Sequence, residues 1–268
     1  MRDDTASLTA RGVALGRSRL DRPAWPTGDA DAEARLYAML AEGYVPRDRD
    51  RDRGNEASRG EDGFRAFLVT RTRFFDSAVI RALRSGVDQI VILAAGYDGR
   101  ALRFHSPGVT FFEVDHPATQ ADKRARLDEV GAPLDGIVFV AADFIDTDWG
   151  DRLAAAGHDP TRRTLFTCEG LLRYLPEHAF RGLLATTAGR AAPGSEFVAS
   201  VSTREGPPGE REQARIDALA ESGEAVLTVP HAATALAWVA EGGWRVVSTG
   251  RNGPDDPHTR LLVRARPA

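Results

Sequence analysis

Over 268 residues the chain carries 35 basic and 39 acidic side chains, for a formal net charge of −4. That balance lacks the basic excess with which proteins grip a phosphate backbone, so no nucleic-acid partner is expected. With 42% hydrophobic residues the chain is globular in class, and no stretch approaches the ~20 continuous apolar residues of a membrane span.

The first 90 residues have helical character. Residues 31–42 (DAEARLYAMLAE) put Leu36, Met39 and Leu40 on one face. Arg47–Arg53 then alternates opposite charges without an apolar face, and GNEASRG continues it. Residues 47–59 are therefore expected to form a solvated segment, either a plain surface loop or a lid. From Glu61 to Leu83, apolar residues return at helical spacing in a long amphipathic helix.

The pattern changes at Val87. Gln89–Ala95 (QIVILAA) suits a strand buried on both faces of a parallel sheet. Similar runs follow at Val109–Val114, Ile137–Ala141, Thr164–Thr167 and Glu196–Ser200, separated by helical segments at Thr119–Val130, Asp148–Ala156 and Glu177–Arg190. Such alternation predicts a doubly wound α/β sheet. Helices at Glu210–Glu221 and Ala232–Ala240 precede two last strands, Trp244–Ser248 and Thr259–Arg264. The turn chemistry of Asn252-Gly253-Pro254 between those strands makes them antiparallel. The whole is expected to be one domain over 1–268, with a helical cap at 1–86 and an α/β core at 87–268.

Ligands of open α/β sheets sit beyond the carboxyl ends of the strands. The residues there are Ala94, Ala95 and Gly96 with Asp98 after the first strand, and Asp115 and His116 after the second. Asp143 and Phe144 follow the third, and Cys168 and Glu169 the fourth. An acid 19 residues past Gly96 suits a pair of ribose hydroxyls. Asp143 suits an exocyclic adenine amine, and Phe144 offers an apolar surface to the ring. The alternative for Asp98 and Asp143 is a helix cap. Cys168 has no histidine near it in sequence and is expected to pack as a small hydrophobe. A single cysteine forms no internal disulfide, and no metal site is expected. The N-terminus lacks the apolar core of a secretory signal, which points to the cytoplasm. Trp25, Tyr37 and Trp238 are expected in the core. Only Lys123 among the basic residues is a lysine. GC-rich coding accounts for the skew, yet a compact ammonium at that one position hints at a specific role.

The segments QIVILAAGYDGRALRF, FFEVDHPATQADK, AADF and CEGLLRYL, with RTRFFD upstream, resemble the leucine carboxyl methyltransferase-like group of S-adenosylmethionine-dependent methyltransferases. The resemblance runs from about Thr5 to Leu175 and includes the O-methyltransferases of bacterial polyketide pathways. It implies a class I methyltransferase fold, a seven-stranded sheet ending in an antiparallel pair, with S-adenosyl-L-methionine as cofactor. It further implies that Arg71 binds the cofactor's carboxylate, that Ala94, Ala95 and Gly96 underlie its amino-acid and sugar portions, and that Asp115 and His116 lie at the ribose. Asp143 and Phe144 then meet the adenine, Glu169 faces the methionyl amine, and Glu169 and Tyr174 are the expected catalytic residues. This chain has Ala94 where the group often has glycine. The acceptor implied is a small molecule methylated on a carboxylate or a phenol in secondary metabolism. A protein C-terminal carboxylate, or a non-catalytic cofactor-binding role, is the alternative. A phenol would gain from a base, for which His105, His116, His178 and His231 are candidates, and Arg173 could orient an acidic acceptor. Oligomeric state stays open.

Overall fold

The computed structural model describes residues 6–42, 44, 54–146, 148–221, 223–251 and 260–268. Three helices come first, α1 (Leu8–Arg17), α2 (Ala30–Ala41) and α3 (Gly54–Arg84). Ser7 and Asp29 cap the first two, accepting from the backbone N–H groups of Ala10 at 3.0 Å and Ala32 at 2.7 Å. Helix α3 starts earlier than the amphipathic pattern indicated. Residues 54–59, expected in the solvated segment, are helical, and 47–53 lie outside the described residues. Once the apolar stripe beyond Phe67 anchors a helix, each further turn needs little added stabilisation.

The strands are β1 (Gln89–Leu93), β2 (Thr110–Asp115), β3 (Ile137–Ala141), β4 (Thr164–Cys168), β5 (Glu196–Ser202), β6 (Trp244–Arg251) and β7 (Arg260–Pro267). They form one seven-stranded sheet in the order β3-β2-β1-β4-β5-β7-β6. The five from β1 to β5 run parallel, and β7 is antiparallel to both β5 and β6. This is the expected mostly parallel sheet with an antiparallel C-terminal pair, although the turn residues 252–259 lie outside the described ones.

Period-two alternation divides the strands between two cores. Val91, Leu93, Phe112, Phe166, Phe197 and Trp244 face one side, where α6 (Trp149–Ala155), α7 (Glu177–Ala188) and α9 (Ala232–Glu241) cover them with Leu153, Leu183 and Val239. Ile90, Ile92, Phe111, Leu165 and Val198 face the other, against Phe75, Ala78 and Val79 of α3. A third cluster joins α1 and α2 to α5 (Pro117–Glu129) through Ala14, Leu36, Leu40 and Leu127. Tyr37 and Trp238 are core residues, and Trp25 packs on the second cluster. Two short elements escaped the sequence pattern, α4 (Arg100–Arg103) and a 3-10 turn at Leu172–Tyr174. The remaining helix, α8, spans Glu210–Glu221. Among the described residues, no helix is long and apolar enough to cross a membrane.

Candidate functional site

Strand order reverses between β1 and β4, so the loops after those strands diverge and leave a crevice at their carboxyl ends. The loop after β1 turns sharply. Ala94 has φ +53° and Gly96 φ +48°, both left-handed. For Ala94 this conformation costs about 1–2 kcal/mol relative to a residue without Cβ. Gly96 is needed for a second reason, because a Cβ there would stand 2.9 Å from the Cβ of Ala10 in α1. The N–H of Gly96 donates to Asp115 Oδ2, and the N–H of His116 donates to Asp115 Oδ1 at 2.6 Å. One carboxylate at the end of β2 therefore fixes the loop after β1. Burial raises the pKa of Asp115 against the lowering effect of those two donors.

Glu169, just past β4, lies in a cluster of arginines drawn from three parts of the chain. Arg17 of α1 places Nη2 2.6 Å from Oε1, Arg71 of α3 places Nε 2.7 Å from the same oxygen, and Arg100 of α4 bonds Oε2 through Nη1 at 2.7 Å. The Arg71 approach lacks the alignment of a hydrogen bond. Burial alone would push the Glu169 carboxyl up, but Arg17, Arg100 and Arg71 together hold it far below the usual carboxylate range. It stays ionised at neutral pH and is too weak a base to draw a proton from an acceptor there.

Asp98 completes this cluster. Its carboxylate accepts from the backbone N–H of Arg100 at 2.9 Å and from the guanidinium of Arg100 at 2.6 Å, with Arg17 at 3.4 Å. The cap position of α4 is Gly99, not Asp98, so Asp98 acts by holding the backbone and guanidinium of Arg100 from one residue upstream. Beyond it, Arg100 Nε reaches Asp76 at 2.7 Å. Asp76 pairs with Arg22 at 2.9 Å, and Arg22 with Glu33 at 2.8 Å, which also holds Arg103. Arg17, Arg71 and Arg100 face Asp98 and Glu169, and Arg22 and Arg103 face Asp76 and Glu33. The buried network carries one positive charge in excess. Arg71 bears the consequence: burial lowers its pKa, Glu169 opposes the change, and the neighbouring Arg17 and Arg100 reinforce it.

Of these groups, Arg17, Arg71, Asp98, Asp115 and Glu169 line a cavity of about 620 Å³. All ten site residues singled out in the sequence reach it: Arg71, Ala94, Ala95, Gly96, Asp115, His116, Asp143, Phe144, Glu169 and Tyr174. Asp143 accepts from the N–H of Ile145 at 3.0 Å, and buried Phe144 leans on Trp149 with ring centroids 5.5 Å apart. Tyr174 sits on the 3-10 turn, with the Arg173 guanidinium 5.7 Å from its ring centre. Helix α1 and its cap Ser7 wall the cavity with residues 7–13 and Arg17, and residues 223–225 with Leu227 wall it from a distant part of the sequence. Glu224 fastens the two together, accepting from Ser7 Oγ at 2.6 Å and from Thr9 Oγ1. Phe67 lies between two guanidiniums, Arg260 at 4.0 Å and Arg71 at 4.6 Å from its ring centre.

Other candidates lie elsewhere or are inert. Cys168 is fully buried and its thiol is pushed up by burial, so it packs as a hydrophobe. Of the candidate histidines, His116 alone reaches the cavity. His231 pairs with Glu205 at 3.1 Å, and His105 meets the carbonyl of Thr27 at 3.3 Å. Among the described residues, no group of three or more His, Cys, Asp or Glu side chains is disposed to hold a metal ion. Sequence reasoning missed Arg17 and Arg100 and gave Asp98 too small a part. The only available signal was an acid after β1 and another after β4, with arginines on the helices around them.

Comparison with known proteins follows the same lines. The sequence model of the leucine carboxyl methyltransferase family matches residues 30–188. A candidate S-adenosyl-L-methionine-dependent methyltransferase of Mycobacterium avium is 43% identical over 148 residues, covering 54% of this chain and 46% of that protein. One from Mycolicibacterium smegmatis is 31% identical over 262 residues, covering 92% of this chain and 74% of the relative. The chain spans about half the length of the first of these. Among solved structures, a candidate methyltransferase from Thermobifida fusca superposes with a TM-score of 0.61 over 99% of this chain and 96% of its own, at 14% identity. That likeness concerns the fold, which is the class I methyltransferase fold.

Proposed function

The chain belongs to the leucine carboxyl methyltransferase family, and from that premise we propose that it transfers the methyl group of S-adenosyl-L-methionine to a carboxylate or phenolic oxygen of a small molecule in secondary metabolism. The observation that carries this reading is the buried network's single excess positive charge, exposed to the cavity at Arg71. An amino acid's carboxylate arriving there neutralises the surplus and meets a guanidinium fork. Asp115 reaches the same cavity with both oxygens anchored by one backbone donor each, which leaves further lone pairs for ribose hydroxyls. Asp143 and Phe144 suit the adenine edge and face, and His116 closes the ribose side.

When bound, the cofactor supplies an electrophilic methyl group on a sulfonium. The chain's own residues position and polarise. Glu169, fixed as an anion by Arg17, Arg71 and Arg100, offers a negative charge to a positively charged amine and does not move protons. Tyr174 lines the same cavity and offers a hydroxyl able to orient the acceptor oxygen. A carboxylate acceptor needs no base, being ionised at neutral pH. A phenol would draw on the cations around it, since Arg173 and Arg260 line the same cavity and favour a phenolate. Proximity and alignment of acceptor and methyl group then supply most of the acceleration.

Calorimetry with S-adenosylhomocysteine tests the cofactor reading. Micromolar or tighter binding is expected, and no binding to folded protein would sink it. Turnover of a panel of small carboxylic acids and phenols, against peptides with free C-termini, then tests the acceptor. Label found only in peptide would overturn the small-molecule reading.

A further inference from the structure

Tyr174 ends a 3-10 turn of three residues, Leu172–Tyr174, and is half-buried in the wall of the cavity. Such turns are short, and their hydrogen bonds are poorer than those of an α-helix. Here the N–H of Tyr174 donates to the carbonyl of Leu171 at 2.8 Å, and that of Leu175 to the carbonyl of Leu172 at 3.3 Å. The carbonyl of Arg173 would look next to the N–H of residue 176, but that residue is proline and has none. The residues on either side of Tyr174 instead find their donors in residues 223–228, between α8 and α9. The Arg173 carbonyl accepts from the N–H of Leu227 at 2.8 Å and from that of Thr228 at 3.1 Å. The Leu175 carbonyl accepts from Thr228 Oγ1 at 2.6 Å, across 53 residues of sequence. Thr228 thus grips the turn twice, with its backbone before Tyr174 and its side chain after it. Its branched side chain has few rotamers, which suits a fixed bridge. The other end of the segment is fastened as well, since Glu224 holds the hydroxyls of Ser7 and Thr9 at the start of α1. Thr228 itself does not line the cavity, so it bears on the reaction only through the turn.

We propose that Thr228 is a positioning residue for methyl transfer: by bridging the carbonyls of Arg173 and Leu175 it sets the orientation from which the Tyr174 hydroxyl meets the acceptor oxygen. This rests on the acceptor role given to Tyr174 above, and goes beyond it by assigning the residue that holds Tyr174 in place. Removing the bridge leaves Tyr174 in the chain but frees its turn, whose own hydrogen bonds stop at proline. Alignment is where such freedom is felt most, because small misplacements of a reacting group cost large factors in rate. Cofactor groups on the loops after β1, β2 and β3 take no part in the bridge, so their ligand should be bound as before.

The test compares Thr228→Val, which removes the hydroxyl and keeps the shape and the backbone N–H, with Thr228→Ser, which keeps the hydroxyl. The chain has four tyrosines, so protein labelled with 3-fluorotyrosine gives four fluorine resonances, and Tyr174→Phe assigns the one that matters. In Thr228→Val the Tyr174 resonance should shift or broaden while the other three stay, and Thr228→Ser should restore it. This arm needs no acceptor. On the acid or phenol that the panel above turns over best, kcat should fall about tenfold in Thr228→Val, the worth of one hydrogen bond. KM and the dissociation constant for S-adenosylhomocysteine should stay within about twofold, and Thr228→Ser should recover most of the rate. In a Tyr174→Phe background, Thr228→Val should cost no further rate, because it acts through the missing hydroxyl. Should Thr228→Val fail to fold, Thr228→Ala, which leaves room for water at the Leu175 carbonyl, carries the same expectations. An unmoved Tyr174 resonance in the folded variant overturns the inference. So does a rate loss of equal size with and without the Tyr174 hydroxyl, which would make Thr228 merely structural. Full turnover by Tyr174→Phe would instead remove the role on which the inference rests.

Discussion

The Nζ of Lys123 donates to the backbone carbonyl of Asp98 at 2.7 Å, joining α5 to the loop after β1 across 25 residues. The same ammonium pairs with Glu113 of β2 at 2.5 Å, and Lys123 is only 2% exposed. The chain's single lysine thus lies beneath the loop that presents Asp98 to the cavity. Burial raises the pKa of Glu113 and Lys123 opposes that rise, so the carboxylate depends on its partner. Lys123→Met should therefore destabilise the protein by about 3–5 kcal/mol, the cost of leaving one member of a buried pair alone. Lys123→Met/Glu113→Leu should recover most of it, as read by denaturant midpoints. Lys123→Arg should be milder, about 1–3 kcal/mol, because a planar guanidinium overfills a site packed for a point charge. Parent-like stability of Lys123→Arg would reduce the lone lysine to a coding accident.

The arginine cluster predicts an order of effects on cofactor affinity. Arg71→Ala removes the surplus cation and should weaken S-adenosylhomocysteine binding by about 10- to 100-fold, the worth of a charge-assisted hydrogen bond. Because Arg71 is the cation disfavoured by its neighbours, the same substitution should leave stability nearly unchanged. Asp115→Ala should match it in affinity and also loosen Gly96 and His116, both of which donate to that carboxylate. Faster amide exchange at Gly96 would report the second effect. Unchanged affinity in both variants would show that the cavity serves another ligand.

How much of this could be read in the chain itself differs by residue. The run Gln89–Leu93 is apolar without interruption, and all five residues are buried, so the central strand and its neighbours were legible. Asp115 was legible because a strand end is a position where topology assigns chemistry. Arg17 and Arg100 were not. In a chain with 35 basic residues, nothing local separates a guanidinium that pairs across the fold with Glu169 from one that faces water. Their roles arise from tertiary pairing between α1, α4 and the end of β4. The start of α3 was obscured for a different reason. Gly54 and Gly60 fall in the stretch GNEASRG that continues the charged run, and their cost of about 1 kcal/mol each is outweighed by the helix that follows.

Ala94 offers a test of strain. At φ +53° its Cβ sits in a conformation that glycine adopts freely. Ala94→Gly should raise stability by about 0.5–1 kcal/mol, the left-handed penalty less the extra entropy of an unfolded glycine. The converse change, Gly96→Ala, should destabilise, since its Cβ would crowd Ala10 at 2.9 Å and lift α1 from the loop. Thermal melts of the two variants should move in opposite directions. A drop in melting temperature for Ala94→Gly would mean that its methyl group packs favourably enough to repay the strain.

Acid stability should carry the signature of His158. It is buried between Phe112 and Phe166, with ring centroids 5.7 Å away in each case, and its Nε2 lies 3.0 Å from Thr164 Oγ1. Burial, reinforced by Arg190 and opposed by Asp159, lowers its pKa to about 4. The unfolded chain, with histidine near 6.5, then binds more protons than the folded one between those two values. Stability contributed by the neutral ring is full above about pH 6.5 and drains away as pH falls toward 4. Glu113 and Asp115, whose pKa values are raised, take up protons in the folded state and work in the opposite direction. His158→Gln removes the first effect and leaves the second. Its unfolding free energy should therefore fall less than the parent's between pH 7 and 4.5, although the variant starts lower for want of the ring's packing. Parallel pH profiles for the two proteins would mean that the buried imidazole takes up its proton in the folded state as readily as in the unfolded chain.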